Sequence, residues 1–186
     1  MRGEKSKKKK IGLNNSLSNL SSTIDKLDTG YTFLNIAKWI FYIVPAAFLI
    51  YIYIMIINSN MAFETLITET PLVTVTFINA MVDLFCAWVI KNGIDELKSR
   101  KNKHAVKASL TLIGVGQILA GNIIASGFIF LGLFKLKEAS KGNVFKIYIS
   151  EIRKSSKAAI LNLVGSIIIL MIFALSFWFY IQIYSR

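Results

Sequence analysis

Two stretches of this chain, Trp39 to Ile57 and Ala158 to Ile183, contain no charged residue at all. A helix needs about 20 apolar residues to cross a hydrocarbon core of roughly 30 Å. Both runs meet that length, and a third, Pro71 to Ile90, meets it with Asp83 as its one charge before the boundary. A fourth apolar stretch, Ala108 to Phe134, is also uncharged but is broken by polar residues and glycines. The hydrophobic share of the whole chain is 54%, only modestly above the usual 45–50% or so of soluble domains. Clustering, not quantity, therefore makes the assignment: an all-α, polytopic membrane protein. The 186 residues leave little room for a soluble domain beside the spans.

The charges decide how the spans are threaded. There are 22 Lys and Arg against 10 Asp and Glu. Such an excess beside long apolar runs reads first as the positive-inside rule, not as a nucleic-acid surface, and no basic patch interleaved with aromatics argues for nucleic acid. The loop at 58–70 holds Glu64 and Glu69 and no Lys or Arg, so it is expected outside. The segment 91–109 carries Lys91, Lys98, Arg100, Lys101, Lys103 and Lys107, and is expected inside, partly helical, with Glu96 four residues before Arg100. Residues 135–157 carry a further seven basic residues, among them Lys135, Lys146, Arg153 and Lys157. If 108–134 crossed the membrane once, these seven would lie outside. The rule favours both flanks of that stretch on the cytoplasmic side.

A re-entrant helical hairpin resolves the conflict. It predicts three transmembrane helices (about 39–57, 71–90 and 158–183) and two short arms within 108–134, with four crossings as the other topology. Arms of 11–12 residues each would be about 17 Å long. Gly121-Asn122 is a natural turn between them. Backbone exposed at membrane depth must then be covered by protein or water. Gly114, Gly116, Gly121, Gly127 and Gly132 would allow neighbouring helices to approach closely. Residues 143–155 read as a short amphipathic surface helix capped by Asn143.

Residues 1–10 form a basic tail, with Lys5 and Lys7 to Lys10 suited to anionic lipid headgroups. Residues 11–37 carry an apolar stripe of Leu13, Leu17, Leu20, Ile24, Leu27, Tyr31 and Leu34, at alternating spacings of four and three. That is the 3.5-residue period of a helix seam. The opposite face is Asn and Ser, which are weak helix formers, and Gly30 is expected to interrupt the pattern. The stripe calls for an interfacial membrane helix or a partner helix, with an unstructured linker as the third reading. Residues 38–186 form a single membrane domain. No apolar run follows Lys10 for about 28 residues, so a cleaved signal peptide is not expected. Frequent Lys, Ile and Asn, with two prolines, point to an AT-rich bacterial source and hence to a bacterial plasma membrane, with the N-terminus cytoplasmic.

The run Gly114-Val-Gly116-Gln117, then Gly121 and Asn122, then Gly127-Phe-Ile-Phe resembles the G-x-G-Q-x-x-N-G segment of maltose-type sugar ABC permeases and of small membrane proteins with a related hairpin. It covers about 25 of the 186 residues. Ala120 stands where the pattern has Asn, Asn122 follows the glycine, and the later lysine is missing. Glu138-Ala139-Ser140-Lys141-Gly142 does not keep the spacing of the permease coupling loop. The resemblance implies a hairpin shape and a link to transport complexes.

Asp83 is the residue to watch inside the bilayer. A mid-span carboxylate is disfavoured by about 2.5–3.5 kcal/mol on insertion scales. It could hold a proton, pair with a cation or bind a subunit; equally, it could be packed against Asn79, Gln117 or Asn122. Cys86, the single cysteine, sits in an apolar run, and His104, the single histidine, sits in a basic loop. A Cys–His nucleophile pair needs both at one place, which this separation disfavours. Glu64 and Glu69 read as solvated. No phosphate loop, H-E-x-x-H or G-x-S-x-G motif is present, and no cofactor, metal site or catalytic activity is expected. The leading expectation is a non-enzymatic accessory or structural subunit of a transport-related membrane complex. The partners would be anionic lipid and other subunits or further copies of the chain. A stand-alone homo-oligomeric transporter or channel built around Asp83 is the second reading, and a membrane immunity or stress protein the third.

Overall fold

The structure, a computed structural model, describes residues 2–99, 102–136 and 155–185, with side chains from residue 28 onward. Six helices make up the described residues: α1 (Arg2–Ser59), α2 (Phe63–Glu69), α3 (Pro71–Lys98), α4 (Lys103–Leu119), α5 (Ile123–Lys135) and α6 (Lys157–Tyr184). Three of them are long and apolar enough to span a membrane: α1 over Asp28–Ser59, α3 and α6. The chain is thus an all-helical polytopic membrane protein. The stripe residues Leu13, Leu17, Leu20, Ile24 and Leu27 lie in helical backbone, with side chains outside the described set. The surface helix expected at 143–155, with its cap Asn143, lies outside the described residues but for Ser155.

The chain direction follows from contacts at the two ends of the bundle. At one end, Lys98 stands over the Tyr31 ring at 5.8 Å, and Lys107 donates to the Leu136 carbonyl at 2.8 Å. Asn102 also pairs twice with Ser156 there: its amide donates to Ser156 Oγ at 2.9 Å and its Oδ1 accepts from Ser156 N at 3.0 Å. The end of α3, both feet of the α4–α5 pair and the start of α6 therefore share this lysine-bearing end. At the other end Thr76 of α3 meets Tyr180 of α6 at 3.0 Å. So α1, α3 and α6 run up, down and up, while α4 and α5 form an antiparallel pair that starts and ends at the lysine-bearing end.

The turn between α4 and α5 is a Schellman motif. Asn122 N donates to Gln117 O at 2.8 Å and Gly121 N to Ile118 O at 3.1 Å, the 6→1 and 5→2 bonds of that motif. Gly121 has φ +82°, where a Cβ is unfavourable. Asn122 then caps α5 through its Oδ1, which accepts from Ala125 N at 3.3 Å. One glycine and one asparagine thus end a helix and start its antiparallel neighbour.

Sheet-free packing in lipid rests on close fit and on polar contacts between helices. Leu34, Ala37 and Phe41 of α1, Cys86 and Ile90 of α3, Leu110 and Ile113 of α4, Ile129 of α5 and Phe173 of α6 form one buried cluster. Serines add directional contacts. Ser126 Oγ of α5 donates to Gly114 O of α4 at 2.8 Å, and Ser109 of α4 hydrogen-bonds Ser166 of α6.

Three sequence expectations change. Gly30 does not interrupt α1, which is continuous through it. A Cβ at Gly30 would stand 2.7 Å from Leu136 Cγ, so the glycine serves close approach to the foot of α5. The segment 58–70 is not all loop, since α2 lies within it and buries Leu66 against Ile52 and Val73. The arms of the hairpin are longer than 11–12 residues, at 17 for α4 and 13 for α5. The extra turns come from the lysine-bearing feet, where Lys103, Lys107 and Lys135 extend the helices beyond the apolar stretch.

Candidate functional site: a polar cavity at the hairpin tip

Asn79 and Asp83 are one helical turn apart on α3, near the middle of its apolar run, and so point the same way. Asp83 is 4% exposed and Asn79 8%. Gln117, in the last turn of α4, is fully buried and donates from Nε2 to Asp83 Oδ1 at 2.7 Å. The same nitrogen lies 3.6 Å from Cys86 Sγ. The Schellman turn fixes where Gln117 sits, because Gln117 itself supplies the carbonyl that Asn122 N closes on.

Beyond this pair opens a cavity of about 320 Å³. Its walls are Val44 and Phe48 of α1, Thr76, Asn79, Ala80 and Asp83 of α3, the tip residues Ala120, Gly121 and Asn122, and Tyr180 of α6. Thr76 donates its hydroxyl to Leu72 O at 2.8 Å, which leaves Tyr180 as donor in the Thr76–Tyr180 contact. In this neighbourhood three buried polar atoms have no hydrogen-bond partner among the described residues: Asn79 Oδ1 and Asn122 Nδ2 on the cavity lining, and Gln117 Oε1 behind it. Burying such an atom without a partner costs on the order of 1–3 kcal/mol. Among the described residues no basic side chain lines the cavity.

The four polar residues singled out in the sequence are therefore placed in one neighbourhood: Asp83 and Gln117 in contact, Asn79 and Asn122 on the same cavity wall. The glycines divide. A Cβ would stand 3.0 Å from Phe130 at Gly114, 2.8 Å from Phe173 at Gly116 and 2.8 Å from Leu34 at Gly132. Gly121 and Gly127 have no such neighbour within 4 Å, Gly121 being set by its φ instead. Of the stripe, Leu34 is buried against Gly132 and Tyr31 packs at the edge of the core. Cys86 and His104 are not brought together. His104 is in the first turn of α4 and Gln117, which touches Cys86, in the last, about 20 Å along the axis.

Sequence reasoning missed Thr76 and Tyr180 as cavity walls, and Ser109, Ser126, Asn162 and Ser166 as buried polar links between helices. Their helical positions were available, but a serine in an apolar run carries no mark of which neighbour it meets. Comparison with protein-family models, curated proteins and solved structures finds no match for this chain.

Proposed function

We propose that this chain is a non-enzymatic subunit of a bacterial plasma-membrane complex that serves transport, with its N-terminus and lysine-bearing end in the cytoplasm and α4–α5 re-entering from that side. One observation carries the reading: the tip of the hairpin is exposed. Gly121 is exposed, and Ile123 and Ile124, just past it, are 71% and 70% exposed. α5 is 13 residues long, about 20 Å, and cannot reach across a core of roughly 30 Å. A re-entrant tip would therefore end at membrane depth, where helix ends need cover from protein or water. A second subunit, or a second copy, seated on Ile123 and Ile124 supplies that cover. The resemblance of this segment to a permease hairpin agrees with a place in a transport complex.

Photo-crosslinking from position 124 in native membranes tests it. A discrete protein adduct is expected, together with co-purification of the same protein in mild detergent. Adducts to lipid alone, with a lone monomer after mild solubilisation, would overturn the subunit reading.

A further inference from the structure

We infer that the cavity at the hairpin tip is a binding site for a monovalent cation, held by the Asp83 carboxylate with the amide oxygen of Asn79. This goes beyond the subunit reading and does not depend on it.

The donor set points to a cation by sign and by hardness. Asp83 lines the cavity, and among the described residues no Lys, Arg or His lines it to neutralise the carboxylate. Gln117, behind the cavity wall, donates its amide nitrogen to Asp83 Oδ1 and so orients the carboxylate. Asn79 Oδ1, one turn along α3, has no partner among the described residues while its residue is more than nine-tenths buried. A carboxylate and an unpartnered amide oxygen on one face of α3 are what a hard cation or an ammonium group binds, and the unpartnered donor across the cavity, Asn122 Nδ2, is left to a water carried with the ion. Helix dipoles do not reverse the sign. The C-terminus of α4 and the N-terminus of α5 meet at the tip, so their end charges oppose one another. Asp83 is left as the net charge.

The charge of the ligand is set by the same count. Among the described residues no group of three or more His, Cys, Asp or Glu could hold a metal, so the several carboxylates that a divalent ion favours are missing. One carboxylate balances one positive charge. The volume, about 320 Å³, exceeds that of a bare ion and admits an ion with part of its water or a small alkylammonium. Phe48 and Tyr180 on the wall suit the alkyl part or the face of an ammonium. Cation sites at half-helix ends near the membrane midplane are a recurrent solution in lipid, because irregular backbone is tolerated there only beside a cavity.

The test uses the full chain purified in mild detergent and exchanged into a sodium-free buffer whose counter-ion is the bulky N-methylglucamine. Binding of radiolabelled sodium and of methylammonium is measured separately by equilibrium methods, so that the two sources of the same charge are distinguished. Saturable binding of at least one is expected. Asp83→Asn and Asn79→Ala should each weaken it at least about tenfold, the first by charge and the second by a lost oxygen. Asn79→Ala keeps the carboxylate and its Gln117 bond, so it serves even if Asp83→Asn disturbs assembly. Absence of saturable binding of both cations to the wild type overturns the site. So does binding that survives both substitutions, or loss of a partner protein on Asp83→Asn with no cation binding in the wild type, which would assign Asp83 to a partner's basic side chain.

Discussion

At the scale of single residues, the glycines of this chain are not equivalent. Gly30 and Gly132 face each other across α1 and α5: a Cβ at Gly132 would lie 2.8 Å from Leu34 Cγ and 3.1 Å from the Gly30 carbonyl. Backbone stands on both sides of that contact, so repacking a side chain cannot relieve it. Gly132→Val should therefore lower the thermal midpoint in detergent, by an overpacking cost of about 1–3 kcal/mol. Gly127 has open space around its Cα. Gly127→Ala should be neutral or stabilising by up to about 1 kcal/mol, from helix propensity alone. Equal losses at the two positions would count against the α1–α5 contact. Both glycines lie in one apolar stretch, five residues apart, and look alike in sequence. Only the neighbour across the interface separates them.

At the scale of elements, the α4–α5 turn was the most legible feature of the chain. Gly121-Asn122 announces a turn because glycine accepts positive φ and asparagine caps a following helix. The structure uses both properties at those positions. Gly121→Ala should destabilise the hairpin by about 1–2 kcal/mol, the cost of a Cβ in a left-handed conformation. Gly121→Asn should cost less than Gly121→Ala. A scan of thermal midpoints for the two variants checks the order, and an alanine variant as stable as wild type would contradict the turn. The α2 segment was illegible for the opposite reason. Seven residues with two carboxylates have the composition of a loop, and only the burial of Leu66 between α1 and α3 makes them a packed helix.

For the whole molecule, the question is which end of each helix lies on which side. Four apolar stretches imply four crossings by counting, while the lysines imply three and a return. Among the described residues three helices are long and apolar enough to span a membrane, and one antiparallel hairpin has its two feet together where Lys107 donates to Leu136 O at 2.8 Å. Under the proposed orientation, single cysteines at Lys135 and Lys157 are expected to resist an impermeant thiol reagent added outside intact cells. Cysteines at Asn60 and Ser185 are expected to react, in a background where Cys86 is serine. Labelling of Lys135→Cys from outside would remove the re-entrant topology. Breaking the contact between the feet is a separate matter: it would loosen the bundle without inverting it, since the lysines on both flanks remain.

The sequence by itself determined the class of the protein, the three spans and the position of the turn. Those follow from local rules: apolar length against bilayer thickness, charge on flanks, and backbone preferences of glycine and asparagine. It also marked Asp83, Asn79, Gln117 and Asn122 as polar residues out of place in lipid. Tertiary structure alone decided that Gln117 donates to Asp83, that Asn79 and Asn122 line one cavity with Tyr180, and that Asn79 Oδ1 and Asn122 Nδ2 there lack a partner among the described residues. The reason is distance along the chain. Asp83 and Gln117 are 34 residues apart, and Thr76 and Tyr180 are 104 apart. Helical periodicity fixes which face a residue occupies, but the partner of that face is set only when the hairpin is packed among α1, α3 and α6.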